Sequence, residues 1–192
     1  MAILVEKKVE LLPAEEAIIQ KLYSNDFPYY YASTDEHYYC VQFFHSLMNR
    51  QFDPDRDGVI NSTRFDIFVK IFLRLLKQEG ITASKIYRAC INNTFAHSDK
   101  HGNIHTDHHY DHCNFLLYLN DFDDGDTYLF DSDNKIKYTI KSEKYKMAIF
   151  EGDYHAQGFC RPGQMRSVLV FTFKRNIFSP KDNPLLLTEN RV

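Results

Sequence analysis

The stretch His105 to Asn120, HTDHHYDHCNFLLYLN, sets four histidines and two aspartates within eight residues and then runs into the apolar segment Phe115 to Leu119. Imidazoles and carboxylates at this density are metal-ligand chemistry. The run that follows is short and apolar, the pattern of a strand buried on both faces. The first question is therefore whether this segment belongs to a helix or a sheet.

Working outward, the sequence after Ser84 favours a sheet. SKIYRACINNTF alternates apolar and polar residues and is rich in β-formers. DTYLFDS, KIKYTIKS, YKMAIFEG and RSVLVFTFKR follow as short strand-like segments separated by Asp, Asn, Gly and Ser. That spacing predicts an antiparallel sandwich or barrel. Towards the N-terminus the texture is helical. LLPAEEAIIQKLY has a proline and two glutamates ahead of an apolar stripe, a favourable helix start. Asp35 to Asn49 reads as a second helix. In STRFDIFVKIFLRLLKQEG, Phe65, Phe68, Val69, Phe72, Leu75 and Leu76 mark one buried helical face, and Gly80 marks the stop. No Pro/Gly/Ser linker parts the halves. One α+β domain, mainly β, is expected: mostly helical support over 1–82, a β core over 83–176 and a tail over 177–192.

The bulk numbers exclude several classes. A chain of 192 residues can bury a sizeable core. A net charge of −3 gives no footprint of a nucleic-acid binder or a membrane-surface protein. The longest apolar runs are five residues, against roughly 20 for a membrane-spanning helix. The start, MAILVEKK, lacks the features of a signal peptide. Four scattered cysteines with no CxxC pair argue against thiolate zinc and for a reduced, cytoplasmic protein. The loop DPDRDGVI, Asp53 to Ile60, imitates the start of an EF-hand. Its twelfth position is Arg64 where a bidentate glutamate is needed, so it reads as a solvated acidic turn.

The histidines can be grouped in two ways. His97, His101, His105 and His109 recur every four residues, which on a helix would stack four imidazoles. Gly102-Asn103 and the β-branched Ile104 and Thr106 oppose that helix. Alternatively, His105 and Asp107 lie two apart at a strand end, where their side chains share one side. A third ligand must then come from elsewhere, and His155, after the apolar segment YKMAIFEG, is the candidate. Two histidines and a carboxylate form the facial triad of non-haem Fe(II) oxygenases, which leaves adjacent positions open. Arg166, at the head of RSVLVFTF, is costly inside a sandwich unless it meets an anion. Its planar fork suits a carboxylate.

In order and spacing, HTDHHYDHCNFLLYLNDFDDGDTYLF, YKMAIFEGDYHAQG and RSVLVFTF resemble the 2-oxoglutarate- and Fe(II)-dependent dioxygenases, on the prolyl 4-hydroxylase-like branch. The resemblance covers about Ile86 to Lys174 and implies a double-stranded β-helix, or jelly-roll, core. It implies that His105, Asp107 and His155 bind Fe(II), that Arg166 binds the distal carboxylate of 2-oxoglutarate, and that Tyr118 touches the same carboxylate. Dioxygen is the further cosubstrate, and the product is a hydroxylated small molecule or peptidyl side chain. Asp111 is the rival to Asp107, but it stands closer to Tyr118 than the family pattern keeps its carboxylate. Gly125-Asp126-Thr127 matches a turn read as structural. His108, His109 and His112 are extra to the motif; they read as a solvated loop at the mouth of the site, or else as substrate contacts or donors to the ligands. Substrate choice is expected in loops such as 92–103 and in the N-terminal helices. The rival readings are a cupin-like metal-binding module without oxygenase activity and a structural protein with a His-cluster zinc site.

Overall fold

The computed structural model describes residues 3–31, 41–97 and 100–176. Eleven strands and two helices appear there, so the protein is mainly β. In chain order they are β1 (Ile3–Lys8), α1 (Pro13–Lys21), β2 (Tyr30–Tyr31), β3 (Gln42–Asn49), β4 (Val59–Ile60) and α2 (Phe65–Gln78). There follow β5 (Ala83–Phe95), β6 (Cys113–Tyr118), β7 (Thr127–Phe130), β8 (Ile136–Ile140), β9 (Lys146–Glu151), β10 (His155–Gln157) and β11 (Met165–Arg175). The larger sheet runs β1-β9-β6-β11-β5-β3-β2, with β4 paired to β3. The smaller runs β10-β7-β8. Every pairing is antiparallel, and the two sheets form a jelly roll. No helix among the described residues is long and apolar enough to cross a membrane.

The period-two alternation of β11 explains the layering. Leu169, Phe171 and Phe173 point to the helices, while Val168 and Val170 point to the smaller sheet. Phe72 of α2 stacks on Phe171 at 4.2 Å between centroids and meets Phe115 and Phe173 edge-on. The inner face of the larger sheet packs through Leu116, Tyr118 and Phe150 against Leu129 of β7 and Ile140 of β8. The site lies in this inner layer.

Both expected helices flanking the N-terminal region are present. In α1, Pro13 opens the first turn and Glu15 turns back to accept the Leu12 N–H at 2.9 Å. Arg74 of α2 holds both oxygens of the same Glu15 and ties the helices together. The buried stripe of α2 includes Ile71, with Val69 only partly buried, and Gly80 ends the helix region at φ +66°. The helix expected over Asp35 to Asn49 is corrected: Gln42–Asn49 is strand β3, hydrogen-bonded to β5 on one side and to β2 and β4 on the other. Residues 35–40 of that expectation lie outside the described residues. A register shift between Ser46 and Met48 buries Leu47 and Met48 together, which blurs the alternation that marks a strand.

The Asp53–Gly58 loop serves the fold directly. Asp57 Oδ1 accepts the Ile86 N–H at 2.8 Å, Asp53 Oδ1 accepts the Asp55 N–H at 2.9 Å, and Lys85 donates to the Asp55 carbonyl at 2.8 Å.

Candidate metal centre

His105 and His155 are brought together by backbone, not by chance proximity of side chains. Each donates its N–H to the other's carbonyl, at 3.0 and 2.8 Å, as an antiparallel bridge at the end of β10. Their rings stand 4.6 Å apart between centroids. Asp107 follows two residues later, with Oδ2 3.4 Å from His155 Nε2. Among the described residues, one set of His, Cys, Asp or Glu side chains places three ligand atoms within 4.8 Å of one another: His105, Asp107 and His155.

The neighbours fix how these groups present themselves. His105 Nδ1 meets the Asn103 carbonyl at 3.0 Å and His155 Nδ1 meets the Asp153 carbonyl at 2.8 Å. A carbonyl only accepts, so each Nδ1 carries the proton and each Nε2 offers a lone pair to the centre. Burial, reinforced by His155, pushes the His105 imidazole below its usual pKa, which keeps it neutral. Arg50 and Arg88 both donate to Asp107 Oδ1 at 2.9 Å, and Arg50 also reaches the Asp107 carbonyl at 2.8 Å. Burial alone would raise the Asp107 carboxyl, but His155, Arg88 and His105 outweigh it and hold the pKa well below the usual range. One oxygen is thus committed to two guanidiniums, and Oδ2 faces the histidines. This donor set, two imidazole nitrogens and one carboxylate on one side, fits a divalent ion such as Fe(II).

A narrow cavity leads from this trio along the inner face of the larger sheet to Arg166. Its walls include Leu116, Val168 and Val170, and its charged lining is Arg88, Arg166 and Asp107. Two cations against one acid favour an anionic occupant. Arg166 is 4 % exposed, so its guanidinium is held inside the protein. Its Nε donates to the Gly125 carbonyl at 2.9 Å and an Nη to Thr127 Oγ1 at 3.0 Å. The Gly-Asp-Thr turn therefore cradles the guanidinium. Gly125 takes φ +65°, and Asp126 anchors the turn through the Ser142 N–H and Lys141. Asn120 brackets Arg166 from the other side, accepting from Ser167 N–H at 3.0 Å and donating to the Met165 carbonyl at 2.7 Å. Tyr118 lies under the guanidinium, 5.4 Å from its carbon to the ring centre, and its hydroxyl bonds Thr127 Oγ1 at 2.8 Å. It is fully buried and reaches the cavity through Arg166 and Thr127.

The other histidines part company. Segment 100–112 is not a helix, so the four-residue stack of imidazoles does not form. His109 is exposed and Asp111 lies on the surface, beside an outer groove. His108 and His112 are each 6 % exposed, which corrects the expectation of a solvated loop. Asn92 and Thr94, expected in a loop, are β5 residues lining the inner cavity. Arg50 and Arg88 were missed. For Arg88 a signal existed, because Arg88, Cys90, Asn92 and Thr94 alternate with the apolar Tyr87, Ala89 and Ile91 and so share the opposite face of the strand.

No family model and no curated protein sequence matches the chain. Solved structures do. A 2OG-Fe(II) oxygenase family oxidoreductase from Burkholderia pseudomallei aligns at TM-score 0.66 and 15% identity, over 84% of this chain and 79% of that one. The fold is that of the 2-oxoglutarate- and Fe(II)-dependent oxygenases. A prolyl hydroxylase from Trichoplax adhaerens, solved with a hypoxia inducible factor peptide fragment, aligns at 0.58 and 13% identity, over 88% and 82%. A Pseudomonas putida prolyl-4-hydroxylase aligns at 0.53 and 16% identity, over 90% and 92%. At such identities, likeness to this oxygenase fold speaks to architecture, and the chemistry rests on the residues themselves.

Proposed function

We propose that the protein is a 2-oxoglutarate- and Fe(II)-dependent dioxygenase that hydroxylates a C–H bond of a peptidyl or small-molecule substrate. In this reading His105 Nε2, Asp107 Oδ2 and His155 Nε2 hold Fe(II), and Arg166 holds the distal carboxylate of 2-oxoglutarate. The observation that carries it is the trio itself: three ligand atoms within 4.8 Å, with both Nδ1 atoms tied to carbonyls and Oδ1 tied to two arginines. Likeness of fold to oxygenases that include prolyl hydroxylases supports it. The three described cysteines are buried and free, in keeping with a reducing, cytoplasmic setting.

Bound Fe(II) would supply the activation of dioxygen, with 2-oxoglutarate oxidised to succinate and carbon dioxide as the substrate C–H bond is oxidised. The chain's own part is binding and orientation. Asn103 and Asp153 set the two imidazole tautomers, and Arg50 and Arg88 aim one carboxylate oxygen. Leu116, Val168 and Val170 exclude water along the aliphatic part of the keto acid. Gly125, Thr127, Tyr118 and Asn120 hold Arg166 so that a carboxylate meets a fixed guanidinium. The test is an anaerobic titration with Fe(II) and 2-oxoglutarate followed by visible absorption. The wild type gives the charge-transfer band of a chelated keto acid, and His105→Ala abolishes it. A band that survives His105→Ala would remove this residue from the ligand set.

A further inference from the structure

The two arginines that aim Asp107 outnumber the acid they share. Arg50 Nη2 and Arg88 Nη1 each lie 2.9 Å from the same oxygen, Asp107 Oδ1. Among the described residues, neither forms a salt bridge with another carboxylate. A single guanidinium can hold a carboxylate through two parallel hydrogen bonds, so orienting Asp107 does not require both.

Arg88 is open to a ligand. Its side chain keeps 22 % of its surface accessible, and it forms part of the wall of the inner cavity with His105, Asp107 and His155. On β5 it stands opposite Thr172 of β11, whereas Thr94, on the same face of β5, stands opposite Arg166. The cavity therefore has a cation at each end, Arg166 at the far end and Arg88 beside the metal trio.

The two ends differ in what balances them. A divalent ion in the trio is offset by Asp107 and by the carboxylate with which a keto acid chelates it. The other carboxylate of 2-oxoglutarate is offset by Arg166. Arg50 and Arg88 are left without an anion of their own. Asp107 is buried and both arginines are mostly so, and charge in such a setting is expensive unless it is paired.

We propose that Arg88, backed by Arg50, is a second carboxylate-binding point, and that the substrate is a small free carboxylic acid whose anion pairs with Arg88. The proposal rests on the oxygenase reading, which supplies the bound ion and the keto acid that leave these two arginines unbalanced. A small acid fits better than a chain, because the accessible part of Arg88 lies in the wall of a narrow cavity that a thin, flat group can enter. The planar fork of a guanidinium matches a carboxylate edge to edge.

The test uses the full chain with Zn(II) in place of Fe(II), with and without saturating 2-oxoglutarate, in a buffer free of carboxylates. The probes are propionate, propionamide and methyl phosphate, followed by calorimetry and by the nitrogen-15 resonance of Arg88 Nε. With 2-oxoglutarate bound, propionate is expected to move that resonance saturably and to bind about tenfold or more tightly than propionamide, as for a charged pair largely removed from water. Arg88→Gln should abolish that preference, with Zn(II) and 2-oxoglutarate raised until the variant is saturated. Equal binding of propionate and propionamide, tighter binding of methyl phosphate, or a preference that survives Arg88→Gln would each overturn the proposal. So would loss of the Arg88 response once 2-oxoglutarate is bound, because the keto acid itself would then supply the anion that Arg88 holds. Should Arg88→Gln fail to fold, the wild-type resonance decides alone, and no shift with propionate would overturn the proposal. Zn(II) and 2-oxoglutarate binding, measured by calorimetry on the same samples, reports separately on the oxygenase reading.

Discussion

The two faces of β11 obey different rules. On the outer face Leu169, Phe171 and Phe173 interlock with α2 through apolar contact. On the inner face the same strand presents Arg166, Val168 and Val170 to a cavity that Arg88 also lines, and Thr172 to His108. The outer face has the character of a core that holds the fold together. The inner face carries desolvated charge that a fold built for stability alone would replace with hydrocarbon. The difference separates residues that make the structure from residues that the structure is made to hold.

That contrast can be broken at several points. The largest effect belongs to the outer face: Phe72→Ala should cost about 3–5 kcal/mol in urea denaturation, the range for emptying an aromatic core position. A loss near zero would mean that α2 is not a buttress. On the inner face, Arg166→Leu should weaken 2-oxoglutarate binding by about 2–5 kcal/mol, as for loss of a buried charged partner. Its folding stability should hold or rise, as often follows when a buried charge gives way to packed hydrocarbon. Equal affinity by calorimetry would take Arg166 out of the site. Arg50→Met should lower Fe(II) affinity roughly ten- to a hundredfold, the usual cost of losing a partner that orients a ligand. Binding of Fe(II) unchanged by that substitution would leave Arg88 as sole orienter of Asp107.

The smallest effect is one of pH. Burial, with His112 beside it, pushes His108 down to about 4 from 6.5. The folded protein therefore resists a proton that the unfolded chain accepts. This contribution to stability is complete above about pH 6.5 and is lost as pH falls from there towards about 4. His108→Gln should flatten that part of the metal-free stability profile measured by denaturant midpoints. An unchanged slope would show that His108 titrates normally.

How far the sequence carried the reading depended on whether a local pattern was intact. The α2 face, the strand-like segments after Ser84 and the HxD pair are local and regular, so a sandwich or barrel and two of the three candidate ligands could be read from spacing, while the jelly roll came from the family resemblance. β3 could not, because its register shift at Ser46–Met48 breaks the alternation that identifies a strand. Arg50 and Arg88 converge on Asp107 from positions 57 and 19 residues away, which only the sheet register brings together. The burial of His108 and His112 depends likewise on Thr172 and Gly152, both remote in sequence. Tyr118 was placed on the cosubstrate by resemblance. The structure sets it one layer further out, beneath Arg166 and bonded to Thr127.

The central claim is that the inner face holds ferrous iron and a keto acid together. Its most direct test is a crystal grown anaerobically with Fe(II) and 2-oxoglutarate and measured at the iron absorption edge. The account predicts anomalous density bound by His105 Nε2, Asp107 Oδ2 and His155 Nε2, with a carboxylate of the keto acid paired to Arg166. Iron held instead by His108 and His112, or a keto acid bound away from Arg166, would contradict it.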